Sequence, residues 1–185
     1  MKSLLLPLFI IAILSCSQKP ATDNIDAAPT VSVGTPAVSP TAVSNNNQKE
    51  LFTITDAEAI LGEPVHVTDS TTGNQQGISA YRSSYTATAG SATRPVINFL
   101  VEEYRLPGDA QNKFSFIKAS HESSGGFKTL SGLGEEAYFN SDNNKFYFTM
   151  IRKGTRVASL RVNNITNKTS LDEFNRVAKE LAGKL

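Results

Sequence analysis

His121 and the acidic couplets Glu102-Glu103 and Glu135-Glu136 are the side chains of this chain best suited to proton transfer. A histidine titrates near neutrality, and one oriented by a carboxylate can act as the general base of a hydrolase. His121 precedes Glu122 near a helix end, where an imidazolium also interacts favourably with the helix dipole. Neighbours on a strand point to opposite faces, so neither couplet can share a proton within itself. A hydrolytic site therefore needs the fold to bring Glu102 or Glu135 to His121. The other histidine, His66, follows the Gly62/Pro64 break, and the two have no metal-ligand spacing. Gly132-Leu133-Gly134-Glu135-Glu136-Ala137 has the glycine spacing of a dinucleotide fingerprint. Tyr138-Phe139 continues it as strand rather than helix, however, and no acidic residue lies between Asn143 and Leu171 to hold a ribose. These glycines read as a turn leading into a strand. Ser123-Ser124 lacks a nucleophile-elbow context and reads as loop. On these grounds no catalytic residue, metal ligand or cofactor is assigned.

The elements that would carry these residues begin near Leu51. Thr55-Asp56-Ala57-Glu58 fits a capping box opening a short helix, with Ala59-Ile60-Leu61 on its apolar face and Gly62 and Pro64 as its stop. Ile78 to Ala87 alternates around Tyr81 and Tyr85. Val96 to Tyr104 alternates more strictly, with Ile97, Phe99 and Val101 on one face and Asn98 and Glu102 on the other. Pro107-Gly108-Asp109 leads into a helix carrying Ala110, Phe114, Ile117 and His121 as a stripe, ended by Ser123-Ser124-Gly125-Gly126. Phe127 to Leu130, Glu136 to Phe139, Lys145 to Ile151 and Arg156 to Val162 are strand candidates. Ser170-Leu171-Asp172-Glu173 caps a last helix with Leu171, Phe174, Ala178, Leu181 and Leu185 on one side. Runs of strands joined by short turns give an antiparallel sheet, so the expected fold is α+β: a single sheet packed with about three helices.

For the hairpin from Lys145 to Val162, the expected connection is a three-residue loop, Arg152-Lys153-Gly154, pairing Ile151 with Thr155. That register gathers Phe146, Phe148, Met150, Ala158, Leu160 and Val162 on the buried face and leaves Tyr147, Thr149, Ser159 and Arg161 outside. Arg152, Lys153, Arg156 and Arg161 then read as solvated charge at the hairpin end.

Upstream of the domain the chain is of another kind. Lys2, the apolar run Leu4 to Leu14 and small Ser15 form the three regions of a secretory signal peptide. Its apolar core, about 11 residues long, spans only ~17 Å as a helix against ~30 Å of hydrocarbon, so it is no membrane span. Ile13-Leu14-Ser15-Cys16 resembles a bacterial lipobox. The resemblance implies cleavage before Cys16, a diacylglyceryl group on its thiol and an acyl chain on its amine. Cys16 is the chain's one cysteine, so lipidation leaves no thiol for a disulfide, metal or nucleophile. Ser17 to Glu50, with Pro20, Pro29, Pro36, Pro40 and no aromatic residue, has too little apolar surface to offset chain entropy and reads as a disordered, partly extended tether. The expected organisation is thus a signal peptide over 1–15, a lipidated linker over 16–50 and a globular domain over 51–185.

Formal net charge is +1, and loss of the segment carrying Lys2 leaves the mature chain neutral. A neutral chain offers no basic surface for nucleic acid. Asn164-Ile165-Thr166 and Asn167-Lys168-Thr169 match the glycosylation triplet but read as a polar turn before the last helix in a bacterial chain.

Asp56-Ala57-Glu58-Ala59-Ile60-Leu61-Gly62-Glu63-Pro64-Val65 and Gly132-Leu133-Gly134-Glu135-Glu136-Ala137-Tyr138-Phe139 resemble the signatures of small bacterial lipoprotein domains, some similar in outline to the PsbP-like α/β/α sandwich. That resemblance implies a binding or assembly role and brings no catalytic residues with it. The expected function is a lipid-anchored envelope protein acting as a non-enzymatic binding or scaffolding module. Its partners are the membrane, through acyl chains on Cys16, and an envelope protein or small molecule. Ser17 rather than Asp after Cys16 resembles the outer-membrane sorting pattern, placing the domain on the periplasmic face, with the cell surface and inner membrane as alternatives. The rival reading is an envelope hydrolase using His121 and a nearby carboxylate.

Overall fold

Seven strands form one antiparallel sheet. The strands are β1 (Val65–Gln75), β2 (Ile78–Ala87), β3 (Val96–Glu103), β4 (Lys128–Leu130), β5 (Glu136–Asp142), β6 (Phe146–Lys153) and β7 (Arg156–Asn163); the helices are α1 (Ile54–Leu61), α2 (Pro107–His121) and α3 (Leu171–Lys184), preceded by a 3₁₀ helix, Asn45–Glu50. The structure, a computed structural model, describes residues 45–88, 94–142 and 145–185. Cys16, the signal segment and most of the linker lie outside the described residues. The sheet is two meanders, β1-β2-β3 and β4-β5-β6-β7, joined where β3 pairs with β7.

Helices lie on both faces of the sheet. On one face α1, α3 and the segment Leu51-Phe52 close the larger core, with Ile60, Leu61, Phe174, Val177 and Leu181 against Ile97, Phe99, Leu160 and Val162. Phe52 stacks on Phe99 and meets Tyr85 edge-on. On the other face α2 sets Ala110 and Phe114 over Tyr138, Phe148, Met150 and Val157.

Local signals decide the helix ends. The N-cap of α1 is Thr53, two residues before the expected Thr55: its hydroxyl accepts from the Asp56 amide at 3.3 Å, and its own amide donates to Asp56 Oδ2 at 2.9 Å. Thr53 to Asp56 and Thr55 to Glu58 both have the four-residue spacing of the box. The earlier one prevails because it buries Phe52 and Ala57 at the two staple positions around the cap. Gly62 closes α1 at φ 68°, and Ser170 caps α3 by accepting from the Glu173 amide.

Two further expectations are corrected. The β6–β7 hairpin has Lys153 opposite Arg156, a two-residue turn of Gly154-Thr155, and hence Thr149 opposite Leu160 and Phe148 opposite Arg161. Gly154 has φ 58° at the first central position, the requirement of a type II′ turn. Phe148 and Met150 therefore face α2, while Leu160, Val162, Tyr147 and Ile151 face α3. Thr149, expected outside, is fully buried and donates to the Tyr138 carbonyl at 3.0 Å. The hairpin's basic residues are not simply solvated charge. Arg152 is 7% exposed and bonds Glu135 and Glu136, Arg156 pairs with Glu103, Arg161 lies over the Phe146 ring, and Lys153 donates to the Ala182 carbonyl at the end of α3.

The domain also takes in residues before Leu51. Gln48 is 1% exposed, and its Nε2 donates to Ser79 Oγ at 3.5 Å.

Candidate functional site

His121, the last residue of α2, is partly buried against β5 and β6. Its Nδ1 lies 2.9 Å from Tyr138 Oη, and its ring meets Tyr138 and Phe148 edge-on. The Tyr138 hydroxyl also approaches Met150 Sδ at 3.5 Å. Burial, and behind it the charge of Arg161, hold the imidazole below its ordinary pKa, while burial pushes the Tyr138 phenol up. An imidazole biased to neutrality can accept a proton, but here the hydrogen bond at Nδ1 runs to a fully buried phenol.

The carboxylates that a hydrolytic site would need beside it are engaged elsewhere. Glu102 accepts from Tyr104 Oη at 3.0 Å and pairs with Lys113 at 3.8 Å. Desolvation and the adjacent Glu102 charge raise the Tyr104 phenol well above its usual range. Glu135 accepts from the Gly154 amide at 3.1 Å and from Arg152, and these bonds, the backbone one first, hold its carboxyl below the usual range. Neither Glu102 nor Glu135 has a hydrogen bond to His121. His66 is exposed on β1, and Ser123 and Ser124 lie in the turn after α2. Among the described residues no group of three or more His, Cys, Asp and Glu is arranged to hold a metal, and no helix is long and apolar enough to cross a membrane.

Gly132 and Gly134, the fingerprint glycines, have φ 77° and 64° and deliver the chain into β5. A Cβ on Gly134 would sit 2.5 Å from the Arg152 carbonyl oxygen, an approach only glycine permits. They are turn residues of the sheet edge that Arg152 ties together.

A concavity that sequence spacing does not disclose lies at the other end of α2. It measures about 290 Å³ and is lined by Gln76, Gly77 and Ile78 from the β1–β2 turn, Tyr104 and Arg105 after β3, and Asp109 and Asn112 from α2. The turn carries φ 53° at Gln76 and φ 80° at Gly77, the paired positive values of a type I′ turn. Three separate segments form this wall, so no single motif could announce it.

No protein-family model and no curated protein sequence matches the chain. Among solved structures, it is similar to the extracellular domain of PknH from Mycobacterium tuberculosis, with a TM-score of 0.50 over 79% of this chain and 98% of that one. The likeness is one of fold. At 9% identity it carries no residue-level correspondence.

Proposed function

We propose that this protein is a lipid-anchored bacterial envelope protein whose domain works by binding or scaffolding, without catalysis. The observation that carries the reading is how the candidate catalytic side chains are used. His121 is held by Tyr138, Glu102 by Tyr104 and Lys113, and Glu135 by Arg152 and the Gly154 amide. Each is a packing or charge partner in the sheet, whereas a hydrolase built on His121 needs one of these carboxylates beside the imidazole to orient it. The lipobox at Ile13-Leu14-Ser15-Cys16 supports the anchor, and the fold likeness to an extracellular domain supports an envelope location. Ser17 after Cys16 supports the periplasmic face of the outer membrane. The family side of the reading, a small lipoprotein domain of PsbP-like outline, rests on the two sequence motifs.

Expression of the wild type and Cys16→Ala in the native host tests the anchor. Two or three acyl chains hold a protein stably where one is marginal, so wild type should fractionate with membranes and the variant should remain unprocessed or soluble. Normal processing and membrane fractionation of the variant rules the anchor out. A folded His121→Gln protein that fails to complement a deletion strain, where wild type succeeds, would favour the hydrolase instead.

A further inference from the structure

We propose that the cavity between the β1–β2 turn and the start of α2 binds a small zwitterion of amino-acid size, Arg105 taking its carboxylate and Asp109 its ammonium. The assignment rests on the binding reading above and names a ligand class for it.

Charge is the first argument. Arg105 and Asp109 both line the cavity, and among the described residues neither enters an ion pair, with each other or with any other side chain. The charges around them are spent: Lys113 on Glu102, and Arg156 on Glu103. Two opposite charges thus line one concavity with no ion pair between them. Their sum is zero. A simple anion would gain from Arg105 and lose to Asp109, and a simple cation the reverse, whereas a zwitterion gains from both.

Shape is the second. At about 290 Å³ the space is close to the lower end of small-ligand sites. Ile78 and the buried Tyr104 provide an apolar surface for an aliphatic side chain, and the carboxamides of Gln76 and Asn112 add donors and acceptors. Gly77 positions the guanidinium: a Cβ there would lie 2.6 Å from Arg105 Cδ, so the arginine stem runs across the bare turn. A stem laid against backbone limits the rotamers of a side chain whose planar fork matches a carboxylate in two parallel hydrogen bonds.

Titration calorimetry on the full mature chain in detergent tests this, with the twenty common amino acids as probes and N-acetyl-leucine and leucine amide as analogues lacking one charge each. The expected result is saturable 1:1 binding of at least one amino acid with Kd of about 1 mM or tighter. For leucine or whichever amino acid binds, the N-acetyl and amide forms should bind about tenfold or more weakly. Arg105→Gln and Asp109→Asn should each lose a similar factor with the unfolding temperature shifted by no more than a few degrees, since both side chains are exposed. No saturable binding by any amino acid, or binding that survives both substitutions, overturns the site. The ligand is then recovered and its mass measured: conversion would overturn the non-enzymatic reading while leaving the site, and absence of binding would overturn the site alone.

Discussion

Tyr138 Oη sits between His121 Nδ1, at 2.9 Å, and Met150 Sδ, at 3.5 Å, on a side chain with no solvent exposure. The hydroxyl fastens the end of α2 to the centre of β5, and its removal leaves the imidazole nitrogen without that partner. Tyr138→Phe keeps the ring and its contacts with Phe114 and Phe148. It should therefore cost only the hydrogen bond, about 1 kcal/mol by urea denaturation. A loss above about 3 kcal/mol would mean that the phenol supports more than this one contact.

The same imidazole makes stability depend on pH. Burial first, then Arg161, depress its folded-state pKa below 6.5. Tyr138 and Phe148 pack against it without charge, and the neighbouring Glu122 is paired with Lys118. Below pH 6.5 the unfolded chain takes up the proton first, so stability is complete above that pH and falls as pH drops through the folded-state value. His121→Gln should flatten this part of the profile, measured as the difference in unfolding temperature between wild type and variant from pH 8 to pH 5. Parallel curves across that range would show that His121 titrates as freely folded as unfolded.

Phe148 and Leu160 lie in separate cores on opposite faces of the sheet. Phe148→Leu and Leu160→Val should each destabilise by about 1 kcal/mol, and their effects should add to within about 0.5 kcal/mol. Phe148→Leu combined with Tyr138→Phe should not add so simply, because those rings are 5.7 Å apart in one cluster. Double-mutant cycles in urea measure both. Strong coupling of Phe148 to Leu160 would place them on one face.

That hairpin shows where sequence reading stops. The alternation of β3 and the capped stripe of α3 were legible because each buries one face or one side, and period alone then orients it. In β6 and β7 both faces are covered, so Tyr147, Thr149 and Ile151 are as buried as Phe148 and Met150. Hydrophobic parity then selects no register, and turn chemistry at Gly154 does. The opposite condition hid β1. Its residues Thr68 to Gln75 are polar or glycine and almost all exposed, because an edge strand beyond the helices has no core face to mark it. His121 was recognisable as a chemically capable residue; its partner Tyr138 was not, because helix-to-strand contacts leave no spacing in sequence. Arg105 and Asp109 stand close in sequence, but the concavity they line was invisible for a related reason: its wall includes a turn some thirty residues upstream.

The N-terminal boundary of the fold is also open to measurement. A linker ending at Glu50 would leave Gln48 in solvent, whereas it is 1% exposed and bonded to Ser79 Oγ across 31 residues of sequence. Leu51 and Phe52 follow it into the larger core, and the Phe52 carbonyl accepts from Tyr85 Oη at 3.3 Å. A chain starting at Thr41 should match one starting at Ser17 in unfolding temperature. A chain starting at Leu51 loses the 3₁₀ helix and the Gln48 contacts, at a cost of about 1–2 kcal/mol. For a domain of this size that lowers the midpoint by roughly 2–8 °C. Gln48→Ala in the longer chain should reproduce part of the loss, since it removes the amide and keeps the backbone turn. Equal midpoints for the chains starting at Thr41 and Leu51 would show that the 3₁₀ helix adds nothing and that the domain starts at Leu51.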